Sequence, residues 1–262
     1  MPTPASPESR KTLLSQGIEL VRFLAHSSHG LGVTEIAAGM GLPKSSAFRL
    51  LGVLIDLGFV QKNPTSQRYT ISPEIFRFVY ELAHEFGPNQ RVADFMNEKA
   101  EKLNCAVYLC MLSGRSTYVI SAAGPQGGTL ALGSAGPVYA SSAGKVIVAH
   151  LPETEWAFYE PTEADERLTP YTDLNPAHFR QTLKAALESG VAWNMRETQP
   201  LTASVAALIH EPLYPPRLAV ALPISYKDIA VRDRVWLEEQ ARALATQIEK
   251  KLNLPAPRAA KK

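Results

Sequence analysis

Cysteine is scarce in this chain. Its thiols, Cys105 and Cys110, stand five residues apart in an apolar run, which suits buried thiols better than a bridge. Nothing therefore indicates an oxidising compartment. No apolar run approaches the ~20 residues of a membrane span. The opening MPTPASPESRK lacks the apolar core of a secretion signal, and residues 1–11 read as a disordered tail. The expected location is the cytoplasm, with no membrane partner. Charge of one sign is not in excess either: the formal net charge is +2, which excludes a histone-like polycation. Metal and nucleotide signatures are missing as well. The six histidines contain no H-E-x-x-H, and His26 and His29 have no further ligand nearby, so they read as a solvated loop. Gly124-Pro-Gln-Gly127-Gly128 lacks the lysine spacing of a phosphate loop and reads as a turn. No cofactor and no metal are expected.

Apolar material is ample: 45% of the 262 residues are hydrophobic, enough for one or two cores, and the length favours two domains. The charge is unevenly spread. Residues 1–72 hold seven Lys/Arg against four Asp/Glu, whereas the remainder holds 20 against 21. The positive excess sits around one stretch, Val33 to Val60, VTEIAAGMGLPKSSAFRLLGVLIDLGFV. It reads as two short helices around a tight turn. Thr34 can cap the first, and Ile36, Ala37 and Met40 recur at helical spacing. Gly39-Met40-Gly41 breaks that helix, and Pro43 suits the first turn of the next. Ala47, Leu50, Leu51, Leu54 and Leu57 then form one stripe, which Gly58 ends. The opposite face carries Lys44, Ser45, Ser46, Phe48 and Arg49 near the helix start, where a helix-turn-helix protein places its base-reading side chains. An ordinary helical hairpin is the plainer alternative.

A helix over Thr12–Ala25, with Leu14, Ile18, Val21, Leu24 and Ala25 on one face, precedes this pair. After it, Phe59-Val60 and Tyr69-Thr70-Ile71 are β-prone runs around the turn Asn63-Pro64-Thr65-Ser66. A hairpin directly after a recognition helix is a wing, with Lys62 and Arg68 beside its tip and suited to phosphate. Thr34, Lys44, Ser45, Ser46, Phe48, Arg49, Lys62 and Arg68 are thus the DNA-facing candidates. Ser72-Pro73-Glu74 starts another helix.

The run GLPKSSAFRLL, followed by LGFV and RYTI, resembles the DNA-binding domain of the IclR family of bacterial transcription regulators. PVYASSAGKVIVAHLP at 137–152 is similar to that family's Ala-x-Gly-Lys segment, and SGVAWNMRE at 189–197 is a weaker match. The resemblance implies an α+β chain: a winged helix-turn-helix over 12–72, a linker helix over 73–88, a GAF-like effector-binding domain over 89–252 and a basic tail over 253–262. It also implies double-stranded operator DNA and a small organic acid as partners, and a homodimer or dimer of dimers.

The second half fits that expectation. A helix is expected with Val92, Phe95, Met96, Ala100 and Leu103 as its stripe. Strands are expected at Cys105–Leu112, Ser116–Ala122, Thr129–Leu132, Val191–Trp193, Ser204–Ile209 and Leu218–Ile224. Helices are expected from Ser141 or Ser142, near Glu153–Tyr159, over Asn175–Ser189, and from Val231 to Leu252 with Val235, Leu244, Ile248 and Leu252 inward. Such a pattern is an antiparallel sheet flanked by helices.

Ser142-Ala-Gly-Lys145 fits the S-x-x-K pattern of acyl-serine enzymes, but S-D-N and K-T-G are absent. A helix start whose amides hold an anion is the better reading. Glu163, Asp165 and Glu166 read as a solvated acidic cluster, and Trp193 as core. An enzyme would need a convergent nucleophile, base or metal set, and none is visible, so no catalytic residue is expected. A further alternative is a second domain that only oligomerises. The resemblance places the effector cavity between residues 141–145 and the following strands. In relatives that bind keto acids it implies an acid, a cysteine or serine, and two serines, which here match Asn194, Ser204, Ala221 and Pro223. Those changes lower the polarity and favour an aromatic or similarly apolar carboxylate over a short keto acid. Its carboxylate would sit on the Ser142, Ala143 and Gly144 amides, with its body against Leu130, Leu132 and Ala221.

Overall fold

The computed structural model describes residues 13–27, 29–75, 77–78, 90–124, 130–210, 217–229 and 233–252. The chain divides into two compact units, Met1–Phe86 and Gly87–Lys262. The tails at 1–11 and 253–262, the turn residues 125–128 and most of the linker expected over 73–88 lie outside the described residues.

In the first unit α1 (Leu13–Ala25), α2 (Val33–Gly39) and α3 (Lys44–Asp56) are followed by the hairpin β1 (Val60–Lys62) and β2 (Tyr69–Ile71). Its core joins Leu20 and Leu24 of α1 to Ile36, Ala37, Ala47, Leu50, Leu51, Leu54, Val60 and Tyr69. Of the apolar face expected on α1, Leu24 is buried, whereas Leu14 is 74% and Ile18 50% exposed, and Ala25 is exposed. α1 carries two apolar stripes, and only the one holding Gly17, Leu20 and Leu24 enters its own core. The start of α2 also differs from expectation. Thr34 is exposed and already within the helix. Gly32 is the N-cap, and its amide donates to Glu35 Oε2 at 2.6 Å. Gly41 supplies the left-handed turn at φ 63°, a conformation glycine adopts without steric cost. Pro43 stands at the N-cap of α3, one residue earlier than expected. Leu57 is the C-cap of α3 and is 62% exposed, so the buried stripe ends at Leu54, and Gly58 takes the left-handed turn. Ser72 Oγ accepts from the Glu74 amide at 3.2 Å, so a helical turn does begin there.

The second unit opens with α4 (Gln90–Leu103), whose Val92, Phe95, Met96 and Ala100 are buried as expected. The strands β3 (Val107–Ser113), β4 (Ser116–Ala123), β5 (Ala135–Pro137), β6 (Val191–Met195), β7 (Thr202–Ile209) and β8 (Leu218–Ser225) form one six-stranded sheet in the order β5-β4-β3-β8-β7-β6. All its pairs are antiparallel. The strand expected at Thr129–Leu132 is corrected: 130–133 is loop and turn, and the strand is β5. Between β5 and β6 come α5 (Ser142–Ala149), α6 (Trp156–Tyr159) and α7 (Pro176–Ser189). After β8 come α8 (Tyr226–Ile229) and α9 (Arg234–Lys251).

Strand alternation divides the core in two. Tyr108, Cys110, Leu112, Ala206, Leu208, Ala219 and Ala221 face α5 and α7. Val107, Leu109, Val205, Ala207, Ile209, Val220 and Leu222 face α4 and α9. α5 is buried at every position, Ser142 and Lys145 included. Ala206, Ala219 and Ala221 beneath it leave room for that close approach. Val235 is corrected: it is 59% exposed, and Leu237, Ala241, Leu244, Ala245 and Ile248 are the inward residues of α9. Asp233 caps that helix, its carboxylate accepting from the Val235 amide at 2.8 Å, so the helical period is set from Arg234.

Candidate functional site

α3 buries Ala47, Leu50, Leu51 and Leu54 and turns Lys44, Ser45, Phe48 and Arg49 to solvent, with Ser46 half-buried. Beside it the β1–β2 hairpin pairs Val60 with Ile71 and Lys62 with Tyr69. Asn63 Oδ1 accepts from the Thr65 and Ser66 amides at 2.9 Å each, which fixes the hairpin tip. Lys62 Nζ lies 5.6 Å from the centre of the Tyr69 ring. Arg68 does not hang at the tip. Its Nε donates to Gly30 O at 3.0 Å and its guanidinium pairs with Glu35 at 2.9 Å. The Gly32 amide, and after it Arg68, hold the Glu35 carboxyl below the usual carboxylate range. One acidic side chain thus ties the start of α2 to the wing.

In the second unit a cavity of about 250 Å³ opens between the start of α5 and strands β3, β6, β7 and β8. Of the residues expected there, Leu130, Ser142, Ala143, Asn194, Ser204, Ala221 and Pro223 line it. Register explains the grouping: Asn194 pairs with Ser204, Ser204 with Pro223, and Ala221 with Tyr108. Two expected residues are not brought to it. Leu132 sits in the turn and is 70% exposed. Gly144 packs behind the cavity, and its amide donates to the capping Ser141 Oγ at 2.9 Å. The cap leaves Ser142 and Ala143, the first two residues of α5, outside the intrahelical ladder. Ser142 Oγ lies 2.8 Å from Ser204 Oγ. Cys110 also lines the cavity, with burial pushing its thiol up to about 12. Neither cysteine is bridged and both are buried.

Sequence reasoning missed the partner of Lys145. Its Nζ donates to both Glu197 oxygens, at 2.6 and 2.5 Å, and to Trp193 O at 3.2 Å. Burial pulls the Lys145 ammonium below its usual range, against the pull of Glu197. Lys145 Nζ is thus engaged by Glu197, while Ser142 Oγ faces Ser204 Oγ. The turn that carries Glu197 is braced further. Thr172 Oγ1 donates to Glu197 O at 2.7 Å and Thr169 Oγ1 to Arg196 O at 2.8 Å. Arg196, at φ 70°, lies between the Tyr171 and Tyr226 rings, 3.6 and 4.6 Å from their centres. Asn194 is spent on the same turn: Oδ1 accepts from the Glu197 amide at 2.8 Å and Nδ2 donates to Thr198 Oγ1 at 2.7 Å. The signal in the sequence was a lysine in the middle of an apolar helix, which demands a counter-charge.

The expected acidic cluster is part solvent and part structure. Glu163 and Glu166 are exposed, but Asp165 takes a two-pronged bond from Arg115 at 3.2 and 2.9 Å. Trp193 is half-buried against the α4/α9 core, its indole N–H donating to Glu238 at 2.8 Å.

Residues 13–64 match the family model described as the IclR helix-turn-helix domain, and residues 85–250 match that of the bacterial transcriptional regulator IclR C-terminal domain. The chain belongs to the IclR family. Among curated members it is 28% identical over 204 residues to the glycerol operon regulatory protein of Streptomyces coelicolor, covering 76% of this chain and 78% of that one. The Thermotoga maritima IclR structure has the same fold, with a TM-score of 0.73 at 22% identity, covering 91% of this chain and 98% of that one. So has an IclR homologue from Microbacterium hydrocarbonoxydans, solved with 4-hydroxybenzoate. Its TM-score is 0.74 at 16% identity, covering 92% of this chain and 99% of that one. This IclR-family chain is therefore a transcription regulator, with its DNA-binding helix-turn-helix in the first unit and its effector domain in the second. Among its described residues no helix is long and apolar enough to cross a membrane.

Proposed function

We propose that the chain binds a palindromic operator as a dimer and responds to a single-ring aromatic, or similarly apolar, monocarboxylic acid. The observation that carries the ligand reading is the cavity lining: among the described residues it holds no Lys, Arg, His, Asp or Glu. One carboxylate can be met there by the Ser142 and Ala143 amides at the positive end of α5 and by the Ser142 and Ser204 hydroxyls. A second negative charge would be buried without a partner, at high cost. Tyr108, Leu130, Ala221 and Pro223 offer an apolar body to a ring. About 250 Å³ exceeds the ~150 Å³ that holds benzene. The 4-hydroxybenzoate in the Microbacterium structure supports the same class.

On the DNA side, Ser45, Ser46 and Arg49 reach base edges, while Lys44 and Lys62 hold phosphates. Arg68 braces the wing through Glu35. Dimerisation uses the apolar groove lined by Leu13, Leu14, Ile18, Val53, Leu57 and Phe78, which none of the described residues fills.

Fluorescence anisotropy of the full-length protein on DNA selected from a random pool tests the reading, with 4-hydroxybenzoate titrated into the complex. A ligand-dependent shift in DNA affinity is expected. Saturable ligand binding with no shift would contradict it.

A further inference from the structure

In the first unit the exposed large apolar residues fall into two sets. Leu13, Leu14, Ile18, Val53, Leu57 and Phe78 all line the one groove. Phe23, Phe48 and Ile55 do not, and Phe48 is by far the most exposed of these, at 62% against 36% and 38%. Phe48 therefore serves neither the core nor the groove. It stands on α3 one turn after Lys44 and beside Arg49, among the polar side chains of the exposed face. Residues three and four apart share a helix face, so Ser45, Phe48 and Gly52 form one line. Nothing lies within 4 Å of where a Cβ at Gly52 would stand. Packing within this unit thus gives no reason for a glycine in mid-helix, where glycine weakens the helix. It does leave open space next to the ring.

We propose that Phe48 reads sequence, by packing its ring on the C5-methyl group of a thymine in the major groove. The inference rests on α3 being the base-reading helix. An apolar side chain there has one apolar target on a base edge, the thymine methyl. Lys44, Arg49 and Lys62 supply the charge that brings the helix to the phosphates, and Ser45 and Gly52 keep the line beside Phe48 narrow enough for close approach.

The test uses full-length protein and DNA sites selected by it from a random pool. Each thymine of the selected site is replaced in turn by deoxyuridine, which removes only the methyl group. For the unsubstituted protein, one thymine per half-site should weaken binding about 4-fold when replaced, from the transfer free energy of one methyl-sized group. Phe48→Ala should bind the thymine and deoxyuridine sites equally, with an unchanged circular dichroism spectrum, since the side chain is exposed. Phe48→Leu should keep part of the discrimination. The proposal is overturned if no thymine-to-deoxyuridine change matters to the original protein, or if Phe48→Ala still prefers thymine. If the original protein selects no sequence at all, the reading of α3 fails first and this proposal with it.

Discussion

Lys145 and Glu197 form a buried ion pair, Nζ to Oε2 at 2.5 Å, with side chains only 5% and 13% exposed. It joins the helix that opens on the cavity to the turn that closes one wall of it, since Ser142 and Ala143 on one side and Asn194, Thr198 and Gln199 on the other all line that space. Removing one partner leaves the other charge buried and uncompensated. Lys145→Met should therefore destabilise the chain by about 3–5 kcal/mol. The double change Lys145→Met with Glu197→Leu should recover most of that loss, because apolar replacements of a buried pair are often neutral. Urea unfolding of the two variants checks it; equal losses in both would mean that the pair is not coupled.

Gly144 is required by space. A Cβ there would stand 2.6 Å from Ser141 Oγ and 2.7 Å from Val138 Cα. The cap at Ser141 and the backbone of the Val138–Ala140 turn would both have to shift. Gly144→Ala should cost about 1–3 kcal/mol in thermal or urea unfolding and weaken any ligand held at the start of α5.

Asp165 gives a pH signature. Burial raises its carboxyl, but the Arg115 guanidinium and the Thr162 amide and hydroxyl outweigh that and hold it below the usual aspartate range. A depressed native value means stability that is present above the unfolded value, near 4, and lost as pH falls through the native one. Asp165→Asn should lower Tm at pH 7, and the two proteins should converge as pH falls below the native value. A gap in Tm that stays constant over that range would contradict the assignment.

The proposed dimer interface is tested at the groove on the first unit. Ile18 lines it and is half exposed. Ile18→Glu should leave the fold intact, since Ile18 stands outside the buried core cluster, and reduce the mass by light scattering at micromolar concentration. Affinity for a palindromic site should fall with it.

Much of this architecture was legible from local pattern. Helical spacing located α3, and Gly41 and Gly58 marked its surroundings because the chain must turn left-handed there. Strand runs gave β3, β4, β6, β7 and β8 within a few residues. What failed were features decided by distant partners. α1 has two apolar stripes, and contacts with α3 and the β1–β2 hairpin decide which is core. Leu130–Leu132 has strand composition but no neighbour to pair with, so Ala135–Pro137 pairs with β4 instead. Nor did local pattern show that Arg68, beside the wing tip, pairs with Glu35, far away in sequence. In the cavity the resemblance brought together residues from β6, β7 and β8 that no local rule could join. It could not foresee that Ser141 would occupy the Gly144 amide, or that Asn194 would be spent on its own turn.

Isothermal titration calorimetry tests the central claim most directly, with the full-length protein titrated by 4-hydroxybenzoate and, separately, by pyruvate and glyoxylate. The aromatic acid should bind at one site per chain, the short keto acids should bind at least tenfold more weakly, and Ala221→Trp should abolish the aromatic signal by filling the cavity. Binding of glyoxylate alone, unchanged by Ala221→Trp, would contradict the account.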